Sequence, residues 1–273
     1  MNEIFNFKRF GTYFLYDLRQ MWQRHSRPAI FIGCSVVILY VVWIIFGLLF
    51  TQRWSAPPVE ARFVLWVIAF TILEFYQART YGYLTDPREG ADWLMVPASR
   101  TEKFISMLLI TLVVIPVLFI VVFFALDGFL SLVDPTFGKP LVTGFWSTYR
   151  KILEMSTVVG NESPIVYSTG TWAFLSIVSF FANYLYFLLC GICFKRNKVV
   201  WALAIIFAFS TLISILTGVL VPLIFLHHPT MDLDPMQAAR VIAGIMNGAV
   251  AVSCIAMLGF GWGVWRRIKT LQH

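Results

Sequence analysis

A few groups of residues in this chain have types and spacings that could do chemistry. His227 and His228, with Asp232 and Asp234 close behind, offer metal-ligating side chains. They are adjacent on a connecting stretch and lack further partners, so a metal site is the minor reading. Cys190-x-x-Cys193 has redox spacing, but it lies inside an apolar run, where thiols act as ordinary apolar side chains. All four cysteines sit in such runs, which argues against a disulfide framework. Glu74 is the one acid well inside an apolar segment, about one turn from Arg79. A carboxylate within a membrane is costly and often functional. Its place near one end of the segment favours a structural or gating pair with a basic group over a proton relay. The sequence has no G-x-x-x-x-G-K-[ST], no His-Glu-x-x-His, no paired Glu-Glu and no Ser/His/Asp set on inner helices. Those motifs would carry nucleotide binding in a P-loop or hydrolysis. If ATP drives this chain, another subunit hydrolyses it.

The elements that must position these residues are apolar. Hydrophobic residues make up 59% of the 273 residues and charged residues 13%. Mean hydropathy is +0.78. With so little charge to cover a surface, a soluble globule is excluded, and so is disorder. Six apolar segments stand out, at 29–50, 61–79, 104–126, 168–194, 199–226 and 240–264. Each is long enough to cross about 30 Å of hydrocarbon as a helix, some with tilt. Their apolar runs are continuous rather than alternating, which disfavours a barrel. Lys195-Arg196-Asn197-Lys198 predicts a tight turn between segments four and five. The first run is too long for a signal-peptide core.

Charge sets the expected orientation. With the N-terminus inside, only Arg53, Arg62, Lys139, Arg150, Lys151 and Arg240 of the 21 Lys and Arg fall outside. The positive-inside bias then places both termini in the cytoplasm. It also accounts for the net charge of +7 without nucleic acid. Trp22, Trp54, Trp172, Trp201, Trp262 and Trp265 fall near segment boundaries, where indole is favoured.

The connecting pieces carry their own patterns. In residues 1–28, Phe7, Phe10, Phe14, Leu18, Met21 and Trp22 recur at helical spacing, with Lys8, Arg9, Asp17, Arg19, Gln20, Gln23 and Arg24 between them. This predicts a basic amphipathic helix in the inner interface, broken at Arg27-Pro28. Loop 80–103 has two helix-start signals. Asp86 as N-cap, Pro87 and Glu89 open a short helix running to about Met95. Ser99 and Glu102 form a capping box that opens segment three. The short helix is expected to show Arg88, Trp93 and Leu94 to solvent, beside Glu89 and Asp92. Outer loop 127–167 begins at a solvated Asp127 and holds an aromatic piece from Phe145 to Leu153. Gly244-x-x-x-Gly248 and Gly259-x-x-x-Gly263 suggest close helix contacts. Residues 266–273 form a short tail.

An amphipathic first helix, six spans and an inner loop reading Leu94-x-x-Pro97-Ala98-Ser99-Arg100-x-Glu102-Lys103 resemble the type-2 ABC-transporter permease family. The resemblance implies an all-α, multi-pass protein of the bacterial inner membrane. It implies that loop 80–103 is a coupling element, with Asp86, Arg88, Glu89, Asp92, Trp93, Leu94, Pro97 and Arg100 docking on a separate ABC ATPase. It implies a second permease chain, identical or related, and export rather than import. ATP and Mg would be bound by the ATPase, and this chain would need no cofactor. Two features depart from the family. The stretch between segments five and six, 227–239, is short for a re-entrant helical pair, and the long outer loop lies between segments three and four. The alternative is an ion- or proton-coupled carrier using Glu74, or a structural membrane subunit.

Overall fold

The computed structural model describes residues 5–52, 54–85, 90, 93, 95–157, 169–227 and 235–270. Asn6 opens the first helix, α1 (Phe7–Gly33), by accepting the backbone N–H groups of Lys8 and Arg9 on its side chain. Such a cap satisfies donors that the first turn leaves unpaired. α1 buries Tyr13, Asp17 and Met21, while Phe7, Leu15, Tyr16 and Trp22 face outward. Asp17 therefore lies on the packed face, not on the polar one expected. The expected break at Arg27-Pro28 is also corrected. The helix runs through Pro28 and turns at Cys34 (φ −77°, ψ 1°). Proline removes one backbone hydrogen bond, but here its ring is exposed and Ile32 and Val36 pack on the bundle beyond it. The bend comes where α1 crosses another helix: a Cβ on Gly33 would lie 2.9 Å from Val122 Cγ1.

α2 (Ser35–Phe46) leads into one wide π turn, Gly47–Thr51, and stops at Gln52 in the left-handed region, φ 51°. α3 (Val59–Thr80) follows an extended Pro58. α4 (Arg100–Val133) is continuous over 34 residues. It opens on the expected capping box, with Ser99 and Glu102 each bonded to the other's backbone N–H. A second π turn spans Ile110–Val114, where Ile115 N–H reaches back to Ile110 O. Pro116 follows directly and has no N–H to restore the α pattern. α5 (Leu141–Thr157), α6 (Thr169–Cys193), α7 (Lys198–His227) and α8 (Pro235–Thr270) complete the chain. Between α6 and α7 the chain turns at Asn197, φ 50°, as the polar run predicted.

The structure is all-helical among the described residues. Four stretches are long and apolar enough to cross a membrane: Arg100–Val133, Thr171–Cys193, Lys198–Ile215 and Asn247–Thr270. Ser35–Phe50 is a shorter apolar helix. α3 is less apolar because it carries Glu60, Arg62, Glu74 and Arg79.

Two larger cores and a small cluster of Ala78, Phe187, Cys190 and Ala202, which joins α3, α6 and α7, hold the bundle. One larger core joins α2, α3, α5 and the C-terminal half of α4 through Val36, Phe63, Leu73, Phe119, Phe123 and Leu141. The other joins the α3–α4 loop, α6, α8 and the N-terminal half of α4 through Tyr81, Trp93, Met107, Leu188, Ile192 and Val264. α6 packs most extensively on α8 and next on α3. On α6, a Cβ at Gly191 would run into the Ala78 carbonyl, so only glycine allows that approach of α3. Gly263 of α8 faces Leu189, whereas Gly244, Gly248 and Gly259 face open space. α7 leaves a long apolar face uncovered, including Trp201, Phe207, Phe209, Leu212 and Ile215.

Candidate functional site: the α3–α4 loop and its anchors

Glu102 occupies the third position of α4, where a carboxylate can close a capping box. Its Oε2 accepts the Ser99 N–H at 2.8 Å. Its Oε1 accepts the Asn6 N–H at 2.9 Å, from the residue that caps α1. The Arg9 guanidinium forks onto both oxygens, Nη2 at 2.7 Å and Nε at 2.8 Å. Glu102 is fully buried and Arg9 about a third exposed. One carboxylate thus ties the start of α1, the end of the loop and the start of α4. The hydrogen bonds that Arg9 donates to Glu102 hold the Arg9 pKa above its ordinary value.

Lys103 acts inward. Its Nζ donates to the Trp93 carbonyl at 2.7 Å and lies 4.6 Å from the Trp93 ring centroid. Trp93 is 5% exposed and packs with Tyr81, Leu84 and Met107. The expectation of an exposed Trp93 is therefore corrected. A large ring beside an apolar pocket and a cation gains more by turning in than by facing water. Lys198, at the start of α7, donates to the Gly82 carbonyl and to Thr85 Oγ1. A side chain on Gly82 would meet that lysine at 3.0 Å.

Asp17 completes the frame. Its Oδ2 accepts Ser106 Oγ at 2.6 Å and the Tyr81 hydroxyl at 3.1 Å. Burial raises the Asp17 pKa, and the two hydrogen bonds only partly oppose it. Burial also pushes the Tyr13 and Tyr81 hydroxyls up, with the Asp17 charge adding to the effect. The loop is thus fastened to α1, α4 and α7, and its outward side shows Met95, Pro97 and Arg100.

Other expected residues fall elsewhere. Asp86, Arg88, Glu89, Asp92 and Leu94 lie outside the described residues; Gly90, Trp93 and Met95 between them are helical. Glu74 is half-buried on α3, and its side-chain partner is Asn183 of α6. It does not pair with Arg79, five residues on, which points roughly 140° away around the helix. Asp127, expected to be solvated, is corrected to fully buried: it lies within α4 and binds Arg62 at 2.8 Å. Cys190 is buried, Cys193 exposed, and both are free thiols. His228, Asp232 and Asp234 lie outside the described residues, and no metal-binding group occurs among the described ones.

Sequence reasoning missed the partners of Glu102, Asp17 and Asp127. It also missed Asp134, which accepts Tyr40 at 2.7 Å, Trp54 at 3.2 Å and both Thr136 donors. The Glu102 capping box was the one local signal that pointed to such a centre.

Comparison with protein-family models, with curated proteins and with solved structures finds no match. The class of protein that the fold defines is a helical one: among the described residues all regular structure is helical, and four helices have membrane-crossing length and composition.

Proposed function

We propose that this chain is the membrane permease subunit of an ATP-driven transporter, an exporter of the bacterial inner membrane. In this reading α1 lies in the cytoplasmic interface, six helical segments cross the membrane, and both termini are cytoplasmic. A second permease chain, identical or related, covers the apolar face of α7 and completes the substrate path. Separate ABC ATPase subunits bind ATP and Mg and dock on loop 80–103.

The observation that carries the reading is the three-way fastening of that loop. A push on its outward side at Met95, Pro97 and Arg100 passes to α1 through Glu102 and Arg9. It passes to α4 through the capping box and to α7 through Lys198. A free connector would absorb such a push, whereas this one transmits it to three helices. Closure of the ATPase pair would then switch access of the path between the two faces of the membrane.

The test is purification of the tagged chain from its native membrane in mild detergent. ATP-hydrolysing subunits should co-purify, and Arg100→Glu should weaken their association while membrane insertion stays normal. Purification without such a subunit, with gradient-driven transport by the chain alone, would overturn the proposal in favour of an ion- or proton-coupled carrier.

A further inference from the structure

α8 carries a face that the bundle does not use. At about 100° per residue, Ile255, Leu258, Trp262, Trp265, Arg266 and Lys269 fall within an arc of about 100°, turned away from the buried Val264 and Ile268. All but the half-buried Trp265 are exposed. The order along this face is apolar, then aromatic, then basic. Two contacts hold that order. The Arg266 guanidinium lies 5.3 Å from the Trp262 ring centroid, and the Lys269 ammonium 4.6 Å from that of Trp265. The members of each pair are one turn apart, so each cation folds back along the helix onto its own indole. Trp265 in turn meets Phe104 of α4, with ring centroids 5.1 Å apart.

The charge at this end has one sign. α6, α7, α8 and the turn between α6 and α7 contain no acidic residue. Neither of the ion pairs among the described residues includes Arg266 or Lys269. Arg267 donates to the Ile192 carbonyl at 3.5 Å, which brings the exposed Lys195 and Arg196 of the α6–α7 turn to the same end. An occupant that fits this face is anionic at one end and apolar at the other. A soluble anion leaves Leu258 and Ile255 uncovered. A second copy meeting the face about a twofold axis along the bundle brings its own Arg266 and Lys269 against these two. A membrane lipid meets both halves. Asn247–Thr270 has the length and composition of a span, so the two cations stand at its end, where indoles and snorkelling Lys and Arg meet headgroups. Arg266 lies about 12 Å along the helix from Leu258, so a phosphate held there leaves the acyl chains level with Leu258 and Ile255.

We propose that this face of α8 is a binding site for an anionic phospholipid. Arg266 and Lys269 donate to the phosphodiester, the glycerol region lies along Trp262, and the acyl chains cover Leu258 and Ile255. The site needs α8 to cross the membrane, as the proposed function has it, and needs no ATPase.

The test uses the purified full chain in dodecyl maltoside micelles. The probes are phosphatidylglycerol and phosphatidylcholine carrying the same fluorophore on one acyl chain, read by fluorescence anisotropy. Phosphatidylglycerol should bind at least about fivefold more tightly. The Arg266→Gln/Lys269→Gln double variant should lose that preference. Lys8→Gln/Arg19→Gln removes as many charges from exposed positions of α1 and should keep it. Arg266→Lys/Lys269→Arg retains the charges and should also keep it, which guards against a site variant that fails to fold. Equal binding of the two lipids, or equal loss of the preference in the two Gln double variants, would overturn the site. So would displacement of phosphatidylglycerol by sodium phosphate but not by sodium chloride of equal ionic strength, since that marks a site for a free anion. If the Arg266→Gln/Lys269→Gln chain keeps the lipid preference and instead loses a co-purifying ATPase, the face belongs to that partner. Lipid binding is read on the chain alone, so its failure leaves the co-purification result standing, and the reverse also holds.

Discussion

Replacing Asp127 by Asn tests how dry the Arg62 pair is. Both side chains are fully buried and meet at 2.8 Å. Arg62 also donates to the Phe137 and Lys139 carbonyls and lies 4.1 Å from the Phe137 ring centroid. Asp127 also accepts the Leu141 N–H at the start of α5. Removing one member of a buried pair leaves an uncompensated charge and costs about 3–5 kcal/mol. Asparagine keeps an acceptor for Leu141, and Arg62 keeps its two carbonyls, so the lower figure applies, about 3 kcal/mol. That is a little over a hundredfold in the folding equilibrium. At roughly 2–4 °C per kcal/mol, the unfolding midpoint should fall by about 6–12 °C. The assay is thermal unfolding in detergent, followed by tryptophan fluorescence, for Asp127→Asn, Arg62→Leu and the Arg62→Leu/Asp127→Leu double variant. The double variant should lose less than the sum of the two single losses, because neither charge is then stranded. A midpoint for Asp127→Asn within about one degree of wild type, or strictly additive losses, would refute the buried pair as the tie between α3, α4 and α5.

Three further outcomes follow from named contacts. Glu102→Ala strips acceptors from Asn6, Arg9 and the buried Ser99 N–H; hydrogen exchange at the start of α1 and in loop 80–103 should quicken together, and faster exchange in the loop alone would separate the two. Gly191→Ala forces its Cβ against the Ala78 carbonyl and should cost about 1–3 kcal/mol, read as a lower unfolding midpoint; a neutral result would mean that α3 and α6 do not approach so closely. For Asp134, burial opposes the charge, but bonds from Thr136, Tyr40 and Trp54 outweigh it and hold the pKa at about 2. That depressed value stabilises the folded state above the ordinary carboxylate range, near pH 4, and the gain is lost as pH falls from there toward 2. Wild type should therefore lose stability over that window more steeply than Asp134→Asn, and parallel pH curves would contradict the network.

What could be read in the sequence was local. The described parts of the six apolar segments fall almost wholly on helices because hydropathy is summed over neighbours in the chain. Ser99 and Glu102 revealed a cap because its two partners are three residues apart. The polar run at Lys195–Lys198 ended a helix for the same reason. Pro28 misled because a lone proline states only its own cost, not the packing of Ile32 and Val36 beyond it. Trp93 misled because a capped loop helix usually shows one face to water; what turned the ring inward was Lys103 together with a pocket built by α6 and α8. Arg9 with Glu102, Arg62 with Asp127 and Asp17 with Ser106 are 93, 65 and 89 residues apart. No local pattern encodes such pairings, so Asp127 looked like a surface acid and Asp17 like part of a polar stripe.

The wide turn at Ile110–Val114 gives α4 a residue of slack. Before it, the inward residues step by four, through Glu102, Ser106 and Ile110; after it they resume at Ile115, Phe119, Phe123 and Asp127. The five-residue step between the two sets would throw them about 100° out of phase in a regular α-helix. The π turn absorbs the surplus residue, so Glu102 meets Arg9 at one end while Asp127 meets Arg62 at the other. The two ionic pins thus sit on faces that one unbroken α-helix of this sequence could not present together, so the wide turn works as the register adjustment between the two ends of α4.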